Sequence, residues 1–143
     1  MARKKSELVK RYEETMKAVK EARKEAQKVA AKAINEGFAD IFAAHPNVNT
    51  LAWPQYTPYF NDGDPCEFGV RAYAERIEVN GYSEYEQDNE DLDLTEEEFD
   101  EIVAKVEDFV NIFDDDDLQA AYGEGLVIIN RDGTTETDYY EHD

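Results

Sequence analysis

Cysteine, histidine and, beyond residue 33, positive charge are all scarce in this 143-residue chain. The single cysteine, Cys66, rules out an internal disulfide and fits a reducing compartment; it reads as a small buried strand residue. The two histidines, His45 and His142, sit at a helix end and near the end of the chain, with no partner at metal-ligand spacing. A glycine-rich phosphate loop and a serine in a nucleophile turn are also missing, so no catalytic residues, metal or cofactor are expected. No apolar run approaches the roughly 20 residues that span a bilayer, and the basic N-terminus leads into Glu, Lys and Ala rather than a signal-peptide core. A soluble, intracellular protein with no membrane partner is the expectation.

What is present is an uneven charge. Residues 1–33 hold 11 of the 15 Lys/Arg and 5 of the 35 Asp/Glu, a balance of +6, whereas residues 34–143 hold 4 bases and 30 acids, a balance of −26. The sequence therefore divides into a long basic helix over 1–37, an arm for docking or oligomerisation, and a single acidic domain over 38–143. A domain this acidic repels nucleic acid and anionic membranes and attracts basic surfaces, so direct DNA binding by it is disfavoured.

Ser6 is placed to cap a helix that Pro46 stops near Ala44. Val9, Tyr12, Met16, Val19, Ala22, Ala26, Val29 and Ala33 recur at three- and four-residue steps and form a narrow apolar stripe, suited to pairing with a second copy through residues 6–37. Gly37 reads as a soft point before a stronger cluster of Phe38, Ile41 and Phe42. The bases along this helix read either as a phosphate-binding face or as a solvated face with acids at helical spacing.

Residues 48–60 read as extended, with Pro54 and Pro58 confining them to an edge or irregular strand. Asn61 to Asp64 signals a tight hairpin turn. Cys66, Phe68, Val70 and Ala72 then alternate with polar neighbours, and Ile77 and Val79 break the parity, which predicts a bend at 74–76. A polar acidic loop leads to a capping box at Thr95 and an amphipathic helix carrying Phe99, Ile102, Val103, Val106, Phe109, Val110 and Phe113. A short helix at 118–122, an apolar strand at 126–129 and a last strand through Thr135, Thr137 and Tyr139 follow. The fold class is α+β: a long N-terminal helix and an antiparallel sheet of about four to five strands, with the amphipathic helix on one face.

Trp53-Pro-Gln-Tyr-Thr-Pro-Tyr-Phe-Asn-Asp-Gly-Asp-Pro-Cys-Glu-Phe68 places five aromatics within sixteen residues. Such a segment packs a core corner more often than it stacks a ligand, yet its prolines and turn make it the best binding site on offer. Trp53, Gln55, Tyr56, Tyr59, Asn61 and Asp62, with Arg71 for an anion, are the candidate ligand- or partner-binding residues. The candidate acidic interaction surface comprises Glu84, Glu86, Asp88, Glu90, Asp91, Glu96, Glu97 and the run Asp114, Asp115, Asp116 and Asp117. The spacing over 88–98 resembles a calcium loop, but Leu92 falls on a ligand position and the loop glycine is missing.

The Trp53–Phe68 segment, and the ending from Asn130-Arg-Asp-Gly-Thr to Tyr140-Glu-His-Asp143, resemble small accessory proteins of large tailed bacteriophages over about residues 38–143. The resemblance implies a source and a context, with the host cytoplasm as the place of action, and no mechanism. Two functions fit. One is a non-enzymatic accessory or anti-defence protein that binds and modulates a host protein through its acidic surface, as a nucleic-acid mimic would. The other is a sponge that sequesters a small signalling nucleotide through the aromatic segment and basic residues.

Overall fold

The computed structural model describes residues 4–59, 63 and 65–142. Helix α1 (Glu7–Ala44) opens at Ser6, whose hydroxyl accepts from the Val9 amide at 3.2 Å, one of the amides that a helix start leaves unpaired. It spans 38 residues, about 57 Å at 1.5 Å per residue, and ends at His45 before Pro46. Arg131 returns to this end, donating to the carbonyls of Phe42 at 2.7 Å and Val48 at 3.3 Å. Ile34, Phe38, Ile41 and Phe42 are the buried residues of α1, while Val9, Tyr12, Val19 and Val29 of the expected stripe are exposed.

Strands β1 (Thr50–Tyr56), β2 (Gly69–Val70), β3 (Glu78–Val79), β4 (Gly125–Asn130) and β5 (Thr135–Asp138) form one antiparallel sheet in the order β2-β1-β4-β5, with β3 also pairing β1. Helices α2 (Glu96–Val110) and α3 (Asp115–Tyr122) pack with α1 against it, the α+β arrangement that the sequence predicts. Two short 3-10 turns, Glu84–Glu86 and Glu90–Leu92, occupy the acidic loop, anchored by buried Leu92.

Of the two readings that Pro54 allows, an edge or an irregular strand, the edge is overturned, since β1 lies at the centre of the sheet. β4 pairs β1 on one side over 50–55; on the other side, β3 pairs residues 51–52 and β2 pairs 55–56, leaving a gap between them. The Pro54 carbonyl accepts from the Arg71 amide across that gap at 2.9 Å. In a strand the N and the C=O of one residue point to the same side, so the missing donor also faces Arg71, whose carbonyl accepts from the Tyr73 amide at 2.9 Å instead. The gap exists because the chain turns at 74–76, where the broken parity predicts a bend. The alternating segment forms a strand over Gly69–Val70, and Cys66 is half-buried in a loop instead of a strand. The predicted hairpin turn at 61–64 lies outside the described residues apart from Gly63.

Period-two alternation points Leu51, Trp53 and Gln55 of β1, with Val127 and Ile129 of β4, toward the helices. Trp53 stacks on Phe38 with centroids 5.6 Å apart and planes at 5°, and meets the edge of Tyr122 at 5.7 Å. Phe109 closes the corner edge-on to Phe38 at 5.3 Å. Gly37 is correspondingly no soft point: α1 runs through it unbroken, and the Phe109 ring occupies the space that a Cβ there would need.

An exposed helical Gly→Ala change gains up to about 1 kcal/mol. Here Gly37→Ala is expected to lower stability by about 1–3 kcal/mol through overpacking. Thermal unfolding checks this, with Gly37→Ala repeated in a Phe109→Leu background, where the loss should disappear.

Candidate functional site

Strand alternation splits the aromatic motif into two halves. The inward half, Trp53 and Gln55, is fully buried and so cannot stack or read a ligand as the sequence suggests. The Trp53 indole Nε1 donates to Gln55 Oε1 at 3.0 Å, and Gln55 Nε2 donates to the carbonyls of Leu118 at 3.0 Å and Gly123 at 2.7 Å. One amide thus satisfies the indole and two carbonyls, one within α3 and one just beyond it, as buried polar groups require. Beside it, burial pushes the Tyr122 phenol up to about 12.

The outward half gathers at the other face. Tyr56 is buried under the C-terminal segment, which leaves β5 at the sheet edge and crosses the start of β4 to reach β1. The His142 ring lies 3.9 Å from Tyr56 at 15° and 4.2 Å from Tyr59 at 24°. Two near-parallel rings at those distances cannot share one face of an imidazole, so His142 is sandwiched between them. Tyr140 also stacks on Tyr56 at 5.8 Å. The Arg71 guanidinium carbon is 5.1 Å from the Tyr56 ring centroid and lies close over Gly69, where a Cβ would meet it at 3.1 Å. Arg76 Nη1 donates to the Tyr56 hydroxyl at 2.9 Å. Burial of Arg76 lowers its pKa, but the Tyr56 and Tyr140 hydroxyls outweigh it and the net shift is upward. A hydrogen bond to Tyr59 holds the Tyr139 phenol above its ordinary value. The structure therefore unites Tyr56, Tyr59 and Arg71 of the candidate set; Asn61 and Asp62 lie outside the described residues.

The candidate acids fall at the two ends of α2. Glu86, Asp88, Glu90, Asp91, Glu96 and Glu97 are exposed near its start, with Glu84 half-buried; Asp114, Asp115 and Asp116 are exposed beyond its end, with Asp117 half-buried. Glu97, Asp100, Glu101 and Asp108 are exposed on the face of α2 opposite the core and link the two groups into a ridge. Asp108 escapes the sequence reading, although its spacing complements the apolar stripe and could have revealed it. The helix is about 22 Å long at 1.5 Å per residue, and Lys105 is its one base. Arg23 of α1 meets Asp116 at 3.3 Å, with both side chains well exposed.

His45, 5% exposed, has Nδ1 3.3 Å from Glu98 Oε1 and Nε2 3.0 Å from Lys105 Nζ. An ammonium only donates, so Nε2 accepts and Nδ1–H donates to Glu98. Thr95 caps α2 by accepting from the Glu98 amide at 3.1 Å, while the Glu98 carboxylate turns to His45 and ties the end of α1 to the start of α2. Among the described residues no helix is long and apolar enough to cross a membrane. Comparison with protein-family models, curated proteins and solved structures returns no match.

Glu78 of β3 is half-buried opposite Ala52, and burial, then the nearby Glu86, raise its pKa above the ordinary carboxylate value. A carboxyl raised in the folded state binds its proton more tightly there than in the unfolded chain, so its contribution to stability is lost as pH rises through the folded pKa. Glu78→Gln should therefore raise the Tm at pH 7, with the gain vanishing as pH falls below the unfolded carboxylate pKa; thermal melts across that range check it.

Proposed function

We propose that this chain is a non-enzymatic phage accessory protein that binds a host protein through the acidic ridge, occupying a basic groove otherwise open to nucleic acid. The observation that carries this reading is the exposed row Glu97, Asp100, Glu101 and Asp108, continuous with the acids at 86–96 and 114–116. A rigid helix holding carboxylates at fixed spacing presents negative charge much as a phosphate backbone does, and it needs no refolding to do so. The likeness of residues 38–143 to phage accessory proteins supports the host cytoplasm as the setting. Such complementarity acts chiefly on the rate of encounter and on the choice of partner.

Displacement of a labelled DNA duplex from host nucleic-acid enzymes by the full chain, followed by fluorescence anisotropy, tests the proposal. Displacement should weaken by tenfold or more between about 50 and 200 mM salt, as a multi-contact charged interface does. The triple change Glu97→Gln, Asp100→Asn and Asp108→Asn should weaken it at low salt, mainly through slower association. Glu98 is kept, because its carboxylate holds His45. No displacement of DNA from any of these enzymes, or displacement indifferent to both salt and the triple change, would contradict the reading.

A further inference from the structure

We propose that the slot between Tyr56 and Tyr59 is a binding site for a planar aromatic ring carrying an anionic group, the chemistry of a mononucleotide, and that His142 plugs it. Three observations converge. The first is the His142 sandwich itself, with ring centroids 3.9 and 4.2 Å away. This is the stacking geometry that a nucleobase takes between aromatic side chains, and any flat ring can replace the imidazole there.

The second is the charge around it. Residues 34–143 contain 4 bases, and two of them, Arg71 and Arg76, converge on Tyr56. In so acidic a chain, neither forms an ion pair among the described residues. Lys105, by contrast, pairs with Glu101, and Arg131 donates to two backbone carbonyls. Arg71 Nε is buried and meets no acceptor among the described residues; both arginines lie against Tyr56, at the margin of the cleft and outside its lining. A phosphate is a group that a guanidinium recognises through paired N–H donors. The carboxylate that lines the cleft, Glu124, accepts from the Thr57 amide at 2.6 Å.

The third is size. The cleft that the slot opens onto measures about 240 Å³, lined by Thr57, Glu124, Gly125 and Tyr139 besides the stacked rings. That is below the roughly 300–1,000 Å³ of pockets for drug-sized ligands, and it suits one ring and its substituent once the plug leaves. Tyr59 is 67% exposed, so the slot has an open side for entry. The site lies on the outer face of the sheet, and its success or failure is independent of the acidic ridge.

Calorimetry on the full chain with adenosine 5′-monophosphate, adenosine and ribose 5-phosphate as probes decides the matter. An intramolecular plug lowers apparent affinity by the fraction of time the slot is open, so His142→Ala should bind the nucleotide about tenfold more tightly than the unaltered chain if the slot is closed about nine-tenths of the time. In that background Tyr59→Ala should cost about tenfold through lost stacking, and Arg71→Met should remove the preference for the monophosphate over adenosine. Circular dichroism confirms folding of each variant, and exposed Tyr59 provides the change least able to disturb the fold. No binding to His142→Ala, no gain from that change, or equal binding of ribose 5-phosphate and the nucleotide would each overturn the proposal.

Discussion

The Gln55 side chain is the interaction on which the arrangement of helices over sheet depends. It sits in the innermost layer, on the central strand, and makes three hydrogen bonds: one from the Trp53 indole and two to backbone carbonyls, Leu118 within α3 and Gly123 just beyond it. A buried donor or acceptor left unpaired costs about 1–3 kcal/mol, so each of these groups constrains where the others can be. The indole is thereby held flat against Phe38 of α1, and Phe38 in turn meets Phe109 of α2. Sheet and all three helices are thus registered to one another through two residues of β1 spaced two apart.

That spacing also governs what the opposite face can do. With Trp53 and Gln55 committed inward, Pro54 and Tyr56 point outward, and Tyr56 becomes the floor on which the C-terminal segment, Arg71 and Arg76 assemble. The division of charge is only lightly closed within the chain. Lys5, just before α1, pairs with Glu13 and Lys10 pairs with Glu7 inside it, and Arg23 with Asp116 is the helix's ion pair to the acidic domain among the described residues. Exposed pairs of this kind contribute at most about 1 kcal/mol, so the ridge along α2 stays available to a partner.

The elements governed by local pattern were legible in the sequence: the Ser6 cap and the stop at Pro46, the apolar face of α2, the bend at 74–76, and the last two strands. What escaped depended on contacts distant in sequence. The central place of β1 was hidden because a proline normally marks an edge; only the gap between β2 and β3 explains its tolerance. Gly37 looked like a flexible joint, since nothing local indicates that Phe109, 72 positions later, packs on it. The aromatic motif is visible in the sequence, but which half is core depends on which face of β1 meets the helices. His142 and Tyr140 carry no periodic signal, and their return over β4 is a consequence of tertiary packing alone.

The division of the motif into an inward clamp and an outward platform is tested most directly by hydrogen exchange at the Trp53 indole. The chain has one tryptophan, so one indole N–H resonance reports on it. Bonded to Gln55 and fully buried, that proton should exchange only through global unfolding, with the same free energy as the slowest core amides. Exchange at the rate of a solvent-exposed indole would contradict the account, because it would put Trp53 on the surface and return the whole motif to an open aromatic face.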